Sequence, residues 1–183
     1  DSGTGCLTYD TIRVGVGVTP TIVSSSGASV CSGDTAYLSM TATTAGGTPG
    51  AEPSVYPAPP SYTSSGLTGD YISYFQLNTL ANTTGDGDYT YYSSPTTTLN
   101  AGSSYGMSVQ AGPTYGQGFG VWIDFNRNGD FSDAGEFVYT APAAVTTLNS
   151  TTITVPQSAS NGYTRVRVVC YYASLVTSTM YTG

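Results

Sequence analysis

Short apolar stretches, each followed by turn residues, recur along most of this chain and constrain its fold more than any other feature. From about Gly69 onward they follow at intervals of roughly ten residues, with Gly, Pro, Asn or Ser between them. The stretches are "YISYFQLN", "YTYYSS", "TTTLNAG", "SSYGMSVQAG", "GFGVWIDF", "EFVYTA", "NSTTITVP" and "YTRVRVVCYY". Because no long 3.6-residue period accompanies them, the pattern predicts an all-β antiparallel sandwich of the Ig-like or jelly-roll type.

The composition is typical of an extracellular β protein. Only 8% of the 183 residues are charged, and Gly (23) and Tyr (16) are abundant. With a net charge of -7 and a pI near 4.1, the chain has no basic stripe for nucleic acid or for an anionic membrane surface. The sequence contains no signal peptide, lipidation motif or apolar span of membrane length. We therefore expect Asp1 to begin a mature or excised chain at the cell surface, with no nucleic-acid partner and no membrane insertion.

The residue inventory also argues against an enzyme. The chain has no histidine and no lysine, which removes the commonest general base and Schiff-base chemistry. Three cysteines leave at least one without a partner inside the chain. Cys170 lies in a strand-like run and is interpreted as a small buried residue. Cys6 and Cys31 flank a strand-like segment, and they could pair with each other or with groups outside the chain.

The N-terminal part contains one strand with regular alternation. Residues 7–18, "LTYDTIRVGVGV", place four apolar side chains on one face, namely Ile12, Val14, Val16 and Val18. A second alternating stretch, "TAYLSMTA", follows. Residues 43–66 are rich in Pro and Gly, which predicts a linker or an ordered surface loop.

The most specific site signal is the acidic run at residues 124–136, "DFNRNGDFSDAGE". Oxygen-bearing side chains occupy loop positions 1, 3 and 5 and glycine follows at position 6, as in the front half of a calcium loop. Hard oxygen ligands without nitrogen or sulfur favour calcium. We expect Asp130 at the position that usually gives a backbone carbonyl, and the last two acids to close the shell. The candidate ligands are Asp124, Asn126, Asn128, Asp130, Asp133 and Glu136.

This run departs from a helical EF-hand, because Gly135 occupies position 12 and apolar strands flank the loop. Calcium would therefore staple a hairpin-like connection. Two alternatives stay open. One is an Asn/Asp/Gly turn without metal. The other is a catalytic pair such as Asp124 and Glu136, although nothing in the sequence raises one of their pKa values.

Four stretches together resemble the GEVED domain of secreted Bacteroidota proteins. They are "GDYISYFQLNTLANTTGDGDYTYYSS", "TLNAGSSYGMSV", "VWIDFNRNGDFSDAGEFV" and "TITVPQSASNGYTRVRVVCYY", and the resemblance covers roughly residues 70–183. It implies an extracellular β-sandwich that accompanies adhesins and secreted enzymes and supplies no catalytic residue. The naming motif, Gly-Glu-Val-Glu-Asp before a last strand, is missing, since Gly183 stands where it would begin.

The part before this region resembles fragments of Ig-like repeats from the same class of surface proteins. Residues 21–42 are similar to the opening of such a repeat, and "GCLTYDTIRVGVGV" is similar to its closing strand. We therefore divide the chain into an N-terminal arm (1–20), an Ig-like start with its Pro/Gly-rich connection (21–66) and a GEVED-like sandwich without its final strand (67–183).

A sandwich that lacks a strand exposes backbone donors and acceptors along an edge. The alternating face of Ile12, Val14, Val16 and Val18 fits such a gap. The arm could fold back on its own domain or enter a neighbouring copy as a donated strand, which would give a head-to-tail polymer. Otherwise the chain is one part of a tandem array with flanking domains.

Two glycan-related signals accompany the resemblance. "DTI" and "DTA" match a Bacteroidota O-glycosylation pattern at Thr11 and Thr35, which are otherwise ordinary strand threonines. Tyr89, Tyr91 and Tyr92 either form a glycan-stacking surface or pack a sheet. Separately, Asp86 and Asp88 form a hairpin turn or a secondary cation contact.

Two functional hypotheses follow. The first is a non-enzymatic, calcium-stabilised subunit or repeat of an extracellular filament or adhesin. The alternative is an accessory module that binds glycan or another surface ligand for a secreted enzyme or adhesin.

Overall fold

A computed structural model of the chain describes residues 7–17, 21–25, 40–43, 51–57, 69–87, 89–94 and 96–180. Within these ranges the protein has twelve strands and no helix, and so no helix that is long and apolar enough to cross a membrane. The strands are β1 Leu7–Gly17, β2 Thr21–Ser25, β3 Met40–Thr43, β4 Ile72–Leu77, β5 Leu80–Thr83, β6 Tyr89–Tyr92, β7 Thr98–Asn100, β8 Ser104–Ala111, β9 Gln117–Ile123, β10 Phe137–Thr140, β11 Asn149–Thr154 and β12 Gly162–Tyr172.

Two sheets enclose the main core, which confirms the predicted all-β sandwich. The larger sheet has the order β10-β9-β12-β1-β6, and β7 also pairs with β1. The smaller sheet is antiparallel throughout, with the order β11-β8-β4-β5. Strands β2 and β3 form a hairpin of their own.

Alternation along the strands builds the main core between the sheets. Every second side chain is buried in the later part of β4, at Phe75 and Leu77, and in the later part of β8, at Met107 and Val109. Strands β1 and β12 contribute the same pattern from the larger sheet. Each such aliphatic or aromatic side chain contributes about 1.5–3 kcal/mol when fully buried, so burial of this layer stabilises the fold.

Strand β9 is buried on both faces, which explains its nearly continuous apolar sequence "QGFGVWI". Its inner side chains join the main core, whereas Trp122 faces the other way into a second cluster. Phe131, Val169 and Val176 complete that cluster. Gly120 is required here, since a Cβ at this position would lie 2.8 Å from two indole atoms of Trp122.

Strand β1 lies inside the larger sheet rather than at its edge. It pairs antiparallel with β12 over almost its whole length, from Leu7 opposite Tyr171 to Val16 opposite Gly162. On its other side it runs parallel first to β6 and then to β7. Ile12, Val14 and Val16 are at most 1% exposed and belong to the main core. The N-terminal arm thus occupies a central strand position in the sandwich.

Several predicted residues lie outside the described ranges, namely Cys6, Val18, Cys31, Thr35 and Asp88. Of the expected Ig-like start, the ranges contain only hairpin β2–β3 and residues 51–57. Cys170 is fully buried in the main core, which confirms its interpretation as a small core residue.

Candidate metal centre

The acidic run connects β9 to β10, which are adjacent antiparallel strands, so it is a hairpin connection as predicted. Asp124 anchors the loop and is fully buried. Its Oδ1 accepts the N–H of Arg127 at 2.6 Å, and its Oδ2 accepts the N–H of Gly129 at 3.1 Å. The carboxylate therefore satisfies backbone donors that the tight turn would otherwise leave without partners.

The next two oxygen-bearing positions shape the turn. Oδ1 of Asn126 accepts the N–H of Asn128 at 2.9 Å, and Oδ1 of Asn128 accepts the N–H of Asp130 at 3.0 Å. These are Asx turns, the local motif that such residues favour. Gly129 has a φ of 93°, a left-handed conformation that favours glycine. The sequence pattern thus curls the chain so that its side chains converge.

Three carboxylates come together where the loop closes. Asp130, Asp133 and Glu136 each offer an oxygen within 4.8 Å of the others. The side-chain amides of Asn126 and Asn128 donate to Oδ2 of Asp133 at 2.9 and 2.7 Å. Asp130 was expected to act through its backbone carbonyl, but here its carboxylate belongs to the cluster. Hydrogen bonds from the backbone and side chain of Ser132 lower the pKa of that carboxyl.

Glu136 is the unusual member of the cluster. It is only 2% exposed. Its Oε1 accepts the N–H of Phe125 at 3.1 Å, while Oε2 is buried with no hydrogen-bond partner among the described residues. Burial, together with the charges of Asp124 and Asp133, raises the pKa of Glu136 to about 7. An ionised oxygen in this position is costly unless a cation neutralises it.

The donor set fits a hard cation. It consists of carboxylate and carboxamide oxygens, the ligands that calcium takes, and includes no nitrogen heterocycle or thiolate for zinc or copper. In this arrangement the carboxamide N–H groups of Asn126 and Asn128 face Asp133, while their oxygens accept backbone N–H groups within the loop. Asp124 already accepts bonds from within the loop, so it is the least free of the six candidate ligands.

The raised pKa of Glu136 would also suit a general acid, the alternative use of an Asp124–Glu136 pair. Both carboxylates, however, are at most 2% exposed. A substrate would have to displace the loop before it could touch either of them.

A segment that the sequence did not connect with the loop also contacts it. Residues 51–57, which we call the strap, bring Tyr56 to Asp124. The Tyr56 hydroxyl donates to Oδ2 of Asp124 at 2.7 Å and lies 3.0 Å from the hydroxyl of Thr164. Its ring packs against Phe131 of the loop at a centroid distance of 5.4 Å. Burial raises the pKa of Tyr56. The strap lies in a Pro/Gly-rich region, which gave no signal of a site.

Other predicted sites fall elsewhere on the molecule. Thr11 is only 2% exposed within β1, so a glycan on it is incompatible with this position of the strand. Tyr89 is 41% exposed, whereas Tyr92 packs against the main core. Tyr91 contacts the strap instead. The three tyrosines therefore do not share one exposed stacking surface. Asp86 is exposed in the turn between β5 and β6.

Fold and loop together define an all-β sandwich module with an acidic hairpin connection. The sequence profile of the GEVED domain matches residues 118–183. This match confirms the GEVED resemblance over that segment, which contains the acidic loop and strands from β9 to β12. The Ig-like resemblance of the earlier part receives no such match. Comparisons with curated proteins and with solved structures found no match for the chain.

Proposed function

We propose that this chain is a non-enzymatic structural subunit of an extracellular filament or adhesin, assembled by donation of strand β1 between copies and stapled by calcium at the acidic loop. The observation that carries the proposal is the position of β1. It enters the sandwich from a part of the chain far from its neighbours in sequence, and pairs with β12 on one side and with β6 and β7 on the other.

A sandwich body without β1 would be incomplete. Strands β12 and β6 would present unpaired backbone groups inside a sheet, and the core would lose Ile12, Val14 and Val16. The body therefore needs a strand with this alternation. Such a gap favours a donated strand, because main-chain hydrogen bonds provide affinity and the alternate apolar side chains provide register.

The same contacts form whether the strand belongs to its own chain or to a neighbour. This equivalence is the basis of domain swapping, in which an identical element is exchanged between copies. Residues 18–50 separate β1 from the strap in the sequence. In an open chain, each copy inserts its β1 into the groove of one neighbour and receives β1 from the neighbour on its other side. The assembly therefore extends head to tail.

Calcium would stabilise the hairpin that borders the same sheet. Strand β9, which begins that hairpin, pairs directly with β12. Neutralising Asp130, Asp133 and Glu136 would remove their mutual repulsion and supply a partner for the buried Oε2. The low charge of the chain and the GEVED match are in keeping with an extracellular setting.

The test uses the full chain with a defective donor strand. Ile12→Asp combined with Val14→Asp places two charges in the core and should prevent insertion of β1. Thr152→Asp on the exposed face of β11 is the matched control. Negative-stain electron microscopy and light scattering should show filaments for wild type and control, and small particles for the double variant.

A peptide of residues 7–18 is then added to test whether the groove binds a strand that belongs to another molecule. The proposal expects the peptide to bind the double variant with 1:1 stoichiometry and to cap it without restoring filaments. A peptide carrying Ile12→Asp should not bind. Small particles for wild-type protein at every concentration, together with no binding of the peptide, would remove strand donation and leave a self-contained module.

A groove on the smaller sheet favours the second candidate function, glycan binding. It encloses about 310 Å³ on the outer side of β4, β8 and β11 and is lined without charge, by Gln76, Asn78, Gly106, Met107, Ser108, Ser150 and Thr151. Hydroxyls and carboxamides of this kind suit a neutral sugar. Glycan-array binding that Gln76→Ala abolishes and Gln110→Ala preserves would support this alternative.

A further inference from the structure

The strap lies across strand β1 and is fastened to the strands on both sides of it. We propose that the strap is a latch, which holds the inserted strand in its groove and must open before β1 enters or leaves. Which copy supplies the retained strand rests on the function proposed above, under which the latch retains β1 of a second copy. The latching itself requires only that β1 occupy the groove.

Glu52 forms the central bridge of the latch. Its two carboxylate oxygens accept the hydroxyl of Tyr91, on β6, at 3.0 and 2.8 Å. The same carboxylate forms an ion pair with Arg165, on β12. The guanidinium of Arg165 also stacks on the rings of Tyr91, at 4.2 Å, and of Tyr56, at 4.4 Å. One strap residue thus connects two strands that are separated by β1.

The sheet register shows where the bridge crosses. Thr11 of β1 lies opposite Tyr91 on one side and opposite Arg167 on the other. Arg13 lies opposite Arg165. The Tyr91–Glu52–Arg165 bridge therefore passes over β1 between positions 11 and 13. Thr11 is only 2% exposed, although its side chain points to the outer face, opposite to the core residue Ile12.

Both ends of the strap are also fastened. The guanidinium of Arg127 donates to the carbonyl oxygen of Ala51. The guanidinium of Arg167 donates to the carbonyl oxygen of Pro57 at 2.8 Å. With Arg165, three of the four cationic side chains in this sequence contact the strap. Such a concentration is unexpected for a surface loop in a chain with so little charge.

The middle of the strap closes on the acidic loop. The carbonyl of Val55 approaches Gly129 so closely that a Cβ there would collide with it. Gly129 therefore serves both the turn and the contact with the strap. Together with the Tyr56–Asp124 hydrogen bond, this contact holds the strap against the connection between β9 and β10. The strap is therefore held at both ends and also at Glu52 and Tyr56. A loose connecting loop would lack these contacts.

The expected effect is on the rate at which the strand leaves. Charge-assisted hydrogen bonds in half-buried positions are the stronger ones, and they must break before β1 can move out through the outer face. Interactions lost on the way to the open state slow that opening. A latch of this kind would make an assembled strand long-lived without altering the apolar face that gives it register.

Hydrogen exchange of the full chain tests the latch, with three single variants. Glu52→Ala removes the bridge, Tyr91→Phe removes only the hydroxyl bond, and Asp86→Asn is a matched exposed-acid control. In Glu52→Ala we expect the β1 amides to exchange about tenfold faster relative to those of β8, the factor that one hydrogen bond to a charged group represents. The β1 exchange rate of Tyr91→Phe should lie between those of wild type and Glu52→Ala. The rate of Asp86→Asn should equal that of wild type.

Two outcomes would overturn the latch. One is an unchanged β1 rate in Glu52→Ala. The other is equal acceleration in β1 and β8, which would show a general loss of stability. Light scattering on the same samples reports assembly independently. Faster exchange of β1 in a strictly monomeric protein would support the latch while overturning donation between copies.

Discussion

The hydroxyl of Tyr56 donates a hydrogen bond of 2.7 Å to Oδ2 of Asp124, so the strap reaches the buried carboxylate that anchors the acidic loop. Asp124 also accepts two backbone N–H groups of its own loop. Asp124 therefore holds the turn of the acidic loop and also binds the strap. A change in one segment is expected to affect the other.

Replacing Tyr56 with phenylalanine should weaken the fold. The variant keeps the ring that packs on Phe131 but removes the hydroxyl that serves Asp124 and Thr164. Hydrogen bonds to charged groups contribute about 1.5–3 kcal/mol, and a loss of this size is expected in urea denaturation. Tyr89→Phe, at a site that is 41% exposed, is the control and should leave the midpoint unchanged. Equal midpoints for the two variants would contradict the assigned role.

Calcium should raise the melting temperature of the protein. At a concentration one hundred times its dissociation constant, a ligand that binds only the native state adds about 2.7 kcal/mol. In a protein of this size the corresponding increase is on the order of 5–10 °C. Asp133→Asn should reduce the increase, since this carboxylate lies in the cluster. Asp86→Asn should not. Calorimetry that shows the same Tm with and without calcium would argue for a bare turn.

The calcium-free protein should become less stable as the pH rises. The pKa of Glu136 is raised from 4.5 to about 7 in the folded protein. Folding therefore favours the protonated form, and the stability from this group is complete below about pH 4.5 and is lost as the pH rises through about 7. The loss amounts to at most about 3 kcal/mol.

The difference between wild type and Glu136→Gln isolates this group from other titrating residues. Wild-type protein stripped of calcium should show a falling urea midpoint between pH 5 and pH 7.5, and the variant a flatter profile. Saturating calcium should remove the wild-type decline, because a cation favours the ionised carboxylate. Parallel profiles for wild type and variant in the absence of calcium would show that Glu136 is not the titrating group.

Local pattern accounts for the parts of this structure that could be read from the sequence. Period-2 alternation predicted the buried face of β1, which carries Ile12, Val14 and Val16. The apolar stretches after Gly69, with Asn, Gly, Pro or Ser between them, predicted the later strands and turns. The spacing of Asp124, Asn126 and Asn128 predicted a loop whose side chains converge. These signals depend on residues close in sequence, whose geometry the backbone itself restricts.

Contacts between distant segments left no such signal. Alternation in β1 shows which face is apolar, but it does not name β12 or β6 as neighbours. The strap carries no periodicity, so its contacts with Arg165 and Asp124 could not be inferred. The short glycosylation pattern at Thr11 likewise carries no information on burial, and this residue is buried in β1. Asp130 joined the carboxylate cluster because its Ser132 bonds orient the side chain, a detail that loop position alone does not determine.

Gly120→Ala should destabilise the second cluster on the outer face of β9. The added methyl group would lie 2.8 Å from two indole atoms of Trp122 and would collide with Val176. Both neighbours are at most 1% exposed, so they have little room to move, and overpacking of this kind costs about 1–3 kcal/mol. Gly106→Ala is the matched control, because no atom lies within 4 Å of a Cβ there. Urea denaturation should give a lower midpoint for Gly120→Ala and an equal or slightly higher midpoint for Gly106→Ala. If both variants matched wild type, the contact between β9 and the segment around Val176 would not contribute to stability.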